Sequence, residues 1–210
     1  MLDNPNPSHL PQALEAARLA LETEARAVAT TWERNAQTMP LALEMLARAQ
    51  GRIIISGLGK SGHIGAKMAA TLCSFGAPAY FMNSAEALHG DYGMCTPQDV
   101  GIVISYSGRT AEVLAVTQWM KQFGMATISM TRSAETPIGQ LADLNLCIEV
   151  EREADPLNLG PTASTAATLA LGDALGAGLQ VMREFTPEDF RLRHPGGSLG
   201  ADLLATLTVK

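Results

Sequence analysis

The sequence predicts an α/β fold, a five-stranded parallel sheet sandwiched between two layers of helices. Three observations predict it. Five short apolar runs, at 52–56, 79–82, 99–105, 126–130 and 145–150, alternate with segments of helical period, the pattern of successive βαβ units. The strongest runs, Ile53-Ile54-Ile55 and Ile102-Val103-Ile104, are apolar without alternation, as strands covered on both faces are. Two runs break straight into Gly- and Ser-rich loops, at 57–62 and 105–110, and each loop launches a helix.

The elements follow in order. Residues 1–11 are rich in Pro and Asn and are expected to be a flexible lead-in to one domain over 12–210. From 12 to 34 apolar side chains recur at helical spacing (Leu14, Ala17, Leu21, Ala25, Val28), a helical extension of that domain. A second helix over 38–49 stops at Gly51, a residue type suited to the position after a helix end. Between the strands lie a helix over 61–75, a short helical piece over 84–92, a helix over 110–123 and a short helix over 135–142. The polar stretch 149–160 leads into Pro161-Thr162, a good helix start. The helix over 164–183 carries Asp173 as its lone charge, so it must be buried in the core or against another subunit. Its glycines Gly172, Gly176 and Gly178 lower helix propensity and imply close packing in return. A capping box, Thr186 with Asp189, precedes the sharp turn His194-Pro195-Gly196-Gly197 and one last short helix.

In an open parallel sheet, ligands bind beyond the carboxyl ends of the strands where the winding reverses. The strand order 2-1-3-4-5, typical of flavodoxin-like sheets, puts that point between the first and third strands. Those strands carry the two polar loops. Each loop sets hydroxyls, glycines and free N–H groups at a helix N-terminus, where an anion is favoured. The pair points to a phosphorylated small molecule, with Ser61, Ser105, Ser107 and Thr110 as phosphate contacts.

Composition narrows the partners. The chain has 210 residues, 47% of them hydrophobic, enough for a sizeable core. A net charge of −6 without any Lys/Arg run argues against nucleic acid and anionic membrane. No apolar stretch approaches the ~20 residues of a membrane span, and the N-terminus lacks a signal peptide's regions. Cys73, Cys95 and Cys147 are unpatterned, which fits a reducing compartment. A soluble cytoplasmic protein is expected.

Gly57-Leu58-Gly59-Lys60-Ser61-Gly62 has G-x-G-x-x-G spacing, but the acidic residue that holds a ribose is replaced by Asn83-Ser84. A nicotinamide reading is therefore second, and no cofactor is expected. His63, His89 and His194 all sit in Gly-, Asp- or Pro-rich turns rather than on apolar faces. No spacing of His or Cys supports a structural metal. Among the glutamates, Glu112 opens the helix after the serine loop and Glu153 lies past the last strand, on the active edge.

Lys60-Ser61-Gly62-His63, His89-Gly90-Asp91, the Ser105-Tyr106-Ser107-Gly108 loop, Gly160-Pro161-Thr162 and His194-Pro195-Gly196-Gly197 together resemble the sugar isomerase (SIS) domain, and more narrowly the D-arabinose-5-phosphate isomerases. The resemblance runs over about 51–203. It implies a three-layer αβα sandwich, a homotetramer and interconversion of D-ribulose 5-phosphate with D-arabinose 5-phosphate. It carries the family's active-site residues onto Lys60, His89, Glu112, Glu153 and His194. Two departures stand out: Arg109 and Tyr106 replace smaller or acidic residues in the serine loop, and the family usually continues into a pair of cystathionine-β-synthase-type domains whereas this sequence stops at Lys210, as expected of either a naturally short paralogue or an excised catalytic domain. The base is Glu112, Glu153 or His194, with Lys60 stabilising the enediolate and His89 or His194 moving hydroxyl protons. Another phosphosugar isomerase, or a non-catalytic phosphosugar sensor, is the alternative. Far along the chain from the sheet edge, in a segment with little core-forming sequence of its own, His194 is expected to complete a neighbouring subunit's site.

Overall fold

A computed structural model describes residues 6–196. β1 (Ile53–Gly57), β2 (Ala79–Asn83), β3 (Val100–Ile104), β4 (Ala126–Thr131) and β5 (Leu144–Cys147) form one parallel sheet in the order β2-β1-β3-β4-β5. This is the order the sequence predicts. Alternate residues of the central strands face opposite layers. Ile53, Ile55, Ile102 and Ile104 lie under α2 (Met39–Ala47), α3 (Gly59–Ser74) and α7 (Ala163–Met182), packed with Leu46, Met68, Leu72, Leu171 and Leu175. Ile54 and Val103 face α4 (Ser84–Ala87), α5 (Ala111–Gln122) and α6 (Pro137–Leu141), packed with Val113, Val116, Met120 and Ile138. Fully burying each such side chain contributes about 1.5–3 kcal/mol, so the two cores hold the layers together.

Most boundaries differ from the sequence reading by a residue or two, and three differences have a visible cause or consequence. α1 (Leu10–Asn35) starts at residue 10, after a 3₁₀ turn at Pro7–His9 capped by Asn6, so the proposed lead-in of 1–11 is structured from its middle. Its first five residues, and the segment after Gly196, lie outside the described residues. The piece over 84–92 divides into α4 and a 3₁₀ turn at Asp91–Met94, because Gly90 takes φ = 124° between them. β5 ends at Cys147 rather than 150, with one further bond to β4 beyond it, from Ile148 N to Thr131 O (2.9 Å).

Close packing accounts for the glycines of α7. A Cβ on Gly172 would lie 2.4 Å from Met68 Cε, and one on Gly176 would lie 2.9 Å from Phe75 Cδ2. The Cβ on Gly176 would also meet Leu72 (3.6 Å), so from Met68–Gly172 to Leu72–Gly176 the contacts advance four residues along both helices. α3 and α7 therefore run side by side in one direction and begin level with each other.

Asn35, fully buried at the end of α1, closes the outer edge of β5. Its side chain donates to Cys147 O (2.8 Å) and accepts from Cys147 N (2.7 Å), standing in for a neighbouring strand where the sheet ends. Asn35→Ala leaves both Cys147 groups unpaired and is expected to destabilise the protein by about 2–4 kcal/mol. Exposed Arg34→Ala should stay within about 0.5 kcal/mol. Urea unfolding of the two variants checks this; equal stabilities would contradict the clamp.

Candidate active site

At the carboxyl edge of the sheet Gly57 of β1 lies opposite Ile104 of β3, so the loops that follow emerge next to each other. α3 begins after Leu58 and α5 after Thr110, and neither cap residue uses its side chain on the helix. Two helix N-termini therefore keep their first N–H groups free of side-chain acceptors at the switch point of the sheet. Lys60 and Ser61 stand in the first turn of α3, Lys60 exposed and Ser61 half-buried.

The serine loop is held from several sides. Ser105 N donates to Met130 O (3.1 Å), Gly108 N to Ser105 O (2.9 Å) and Ile138 N to Gly108 O (3.1 Å). Gly108 has φ = 62°, and a Cβ there would lie 2.2 Å from Thr136 Oγ1, so glycine alone closes the loop. Buried Ser105 and half-buried Thr110 share a hydroxyl–hydroxyl bond of 2.9 Å. Ser107 is exposed and its Oγ accepts from Arg109 N (3.2 Å). Two of the predicted phosphate hydroxyls thus brace each other, and Ser107 is the accessible one. Glu112 lies half-buried in the first turn of α5.

Glu153 is built in differently. Thr162 starts α7 without capping it. Glu153 Oε2 does so instead, accepting from Thr162 N (2.8 Å), Ser164 N (3.1 Å) and Thr162 Oγ1 (3.2 Å). The loop between is shaped by Asp155, whose carboxylate accepts from the N–H groups of Leu157, Leu159 and Gly160. Because α3 and α7 start level, Glu153 belongs to the same edge as Lys60 and Ser61. Tyr106 joins the two regions. Burial pushes its phenol above the ordinary value, and the nearby Glu153 and Glu149 carboxylates add to that against the Val150 N–H.

His89 follows α4 and is exposed, its N–H bonded to Glu86 O (2.8 Å). His194 sits elsewhere. At the end of α8 (Pro187–Arg193) its ring stacks on Phe190 (centroids 3.9 Å apart). Nδ1 donates to Phe190 O (2.8 Å), and Nε2 is hydrogen-bonded to the Ser74 hydroxyl (3.2 Å). Ser74 ends α3 whereas Lys60 begins it, about 21 Å away at 1.5 Å per residue. The structure thus brings Lys60, Ser61, Ser105, Ser107, Thr110, Glu112 and Glu153 to one edge, sets His89 on the turn after the neighbouring strand, and leaves His194 at the opposite end.

Sequence reasoning missed Thr162 and Ser164 as anchors of Glu153, since an acceptor nine residues upstream has no local signature. Among the described residues, Ser164 Oγ is the buried side-chain polar atom without a hydrogen-bond partner. No three His, Cys, Asp or Glu side chains among them gather as a metal site, and none of their helices is long and apolar enough to cross a membrane.

The SIS domain family model matches residues 45–177. Arabinose 5-phosphate isomerase KdsD of Pseudomonas aeruginosa is 46% identical over 191 residues, covering 91% of this chain and 59% of that protein. Its namesake from Escherichia coli K12 is 45% identical over 190 residues, covering 90% of this chain and 58% of the relative. The chain therefore spans less than two thirds of the curated relatives it matches. Among solved structures, E. coli CFT073 c3406 in complex with A5P is 37% identical, with a TM-score of 0.84 over 91% of this chain and 100% of that one. By matched length, identity and strand order alike, this chain belongs to the SIS domain family.

Proposed function

We propose that the chain is an aldose–ketose isomerase that interconverts D-ribulose 5-phosphate and D-arabinose 5-phosphate through an enediol. The observation that carries this reading is the edge where two uncapped helix N-termini meet Lys60, Glu112 and Glu153. Relatives named arabinose 5-phosphate isomerase at 45–46% identity, and the A5P complex of c3406, support the choice of sugar. The N–H groups of α3 and α5, with Ser61 and Ser107, hold the phosphate, while Ser105 and Thr110 keep the loop in shape. The sugar carbons then point toward Glu153. Its Oε2 is fixed by the start of α7 and its Oε1 is the oxygen offered to the substrate, so Glu153 is the base that moves the proton between C1 and C2. Lys60 stabilises the enediolate oxygen, and His89 moves hydroxyl protons. The same reading makes this a cytoplasmic enzyme working without a cofactor, its product feeding the octulosonate sugar of lipopolysaccharide or capsule.

The reading includes a homotetramer. α1 exposes Leu10, Leu14, Leu21 and Trp32, and α7 exposes Val181 and Met182, an unusual amount of apolar surface on two adjacent helices. Within this assembly His194 serves the site of a neighbouring subunit, being too far from its own Lys60.

Incubation with ribulose 5-phosphate and no additive should give arabinose 5-phosphate, with deuterium entering at the exchanged carbon in D₂O. Folded protein that converts no five- to seven-carbon phosphosugar would favour the sensor instead. Ser107→Ala should raise KM about tenfold, the loss of one hydrogen bond to a charged group. Glu153→Gln keeps an oxygen for the α7 N–H groups and should lower kcat by about 10²–10⁴. The reverse split would exchange the two roles. Mixed refolding of inactive His194→Ala and Glu153→Gln subunits should restore activity, because some pockets regain both residues from different chains. Mixtures as inactive as the parents would place His194 outside any shared site.

A further inference from the structure

Tyr92, Trp119 and Phe123 form a continuous aromatic stack on the α5 face. Tyr92 and Trp119 rings are nearly parallel (7°) with centroids 3.9 Å apart, and Trp119 and Phe123 follow at 4.7 Å and 20°. Trp119 lies in the last turn of α5 and Phe123, four residues on, caps that helix. Tyr92 belongs to the 3₁₀ turn Asp91–Met94, three residues after His89. Between buried Ala87 and half-buried Tyr92, the residues Leu88, His89, Gly90 and Asp91 are all exposed. The His89 turn is thus a bridge with two piers, Ala87 on one side and Tyr92 on the other, and Gly90 at φ = 124° supplies no stiffness of its own.

Phosphate binding and the hydrogen bonds of the two loops leave this stack unexplained. It packs on the same core as Leu58, just before Lys60, and Leu114, just after Glu112. α5 therefore carries, on one rigid helix, both the Glu112 end of the site and the Trp119 ring that receives Tyr92.

We propose that Trp119, through its stack with Tyr92, is a positioning residue that fixes the His89 turn relative to α5. The consequence for turnover rests on the isomerase reading; the anchoring itself does not. An aromatic pair of this kind contributes beyond its buried area and is lost when either ring is removed, whereas an aliphatic replacement keeps only the burial. Displacing a proton-transfer group by about 1 Å costs up to ~10² in rate, so a loose His89 turn acts on kcat rather than on phosphate affinity.

Hydrogen–deuterium exchange tests the anchoring directly. The amides of His89, Gly90 and Gly93 are bonded to Glu86 O, Ala87 O and Gly90 O within the turn. Trp119→Leu and Tyr92→Leu should each speed their exchange about tenfold, while Trp119→Phe, which keeps a stacking ring, should leave it within about twofold of the parent. Thermal melting confirms that each variant is folded, and Trp119→Phe keeps the test open should Trp119→Leu not be. Unchanged exchange in Tyr92→Leu, or equal acceleration in the Phe and Leu variants, overturns the proposal. In the isomerase assay Trp119→Leu should lower kcat about tenfold or more with KM within about twofold, and should add less than about twofold in a His89→Ala background. Full additivity there overturns the link to His89. A parent protein with fast exchange only in the leucine variants but no isomerase activity sinks the functional reading and leaves the anchor standing.

Discussion

The pairing of β1 with β3 is the constraint on which the rest of the molecule depends. Both strands are buried along all five residues, and their side chains alternate between two separate cores. Slipping one strand by a single residue would exchange the two sets and strand Ile54 or Val103 in the wrong layer. Register is therefore enforced from both faces at once, and Gly57 and Ile104 end level. Asp99 pins the other end: its carboxylate accepts from Arg52 N and Thr96 N at 2.6 Å each, while Gly51 comes so close that a Cβ would lie 2.2 Å from Asp99 Oδ1. With both ends level, the start of α3 and the start of α5 have no freedom to separate.

A second alignment, independent of the sheet ladder, brings the third part of the site into place. The glycines of α7 let it approach α3 closely, and the Lys67–Asp173 pair lies along the same seam (2.5 Å). That pair is exposed enough to contribute little by itself; the interlocking of Met68 with Gly172 and Phe75 with Gly176 does the aligning. Glu153 then follows α7, since its carboxylate is the cap of that helix. One group thus serves two ends: it satisfies N–H groups that would otherwise be unpaired, and it sets a carboxylate oxygen at a height fixed by helix packing rather than by loop conformation.

Much of this was legible in the sequence because it depends on local pattern. The unbroken apolar runs gave the buried strands, the turn residues gave most boundaries, and Thr186 with Asp189 does form the capping box read from its spacing. The expected strand order brought the two polar loops together. What could not be read depends on side chains meeting across long separations. Asn35 and Cys147 are 112 residues apart, and a buried asparagine looks like any other polar residue at a helix end. The use of hydroxyls was also hidden: Ser105 and Thr110 satisfy one another, which spacing alone cannot distinguish from reaching a ligand. Tyr106 stood out as a departure from the family, but its place between the serine loop and Glu153 needed the fold.

The arrangement also resolves an electrostatic difficulty. A chain of net charge −6 that holds carboxylates at this edge would not draw the proposed phosphate from a distance, and screening over about 8 Å at physiological salt removes most of the long-range field in any case. Attraction must be local, and partial charges at helix ends act only within the first turn. Two such ends, brought level by β1 and β3, place the anion-favouring groups on the strands at the switch point. The carboxylate proposed as base hangs on α7, after the last strand. On the proposed reading the phosphate and the base fall on different helices, and a substrate would lie across the edge with its charged end on α3 and α5 and its reacting carbons toward Glu153. Glu112 stays beside the anion-favouring N–H groups, in the first turn of α5, whereas Glu153 is set apart on α7, and its spacing from α3 and α5 is a property of the packed core.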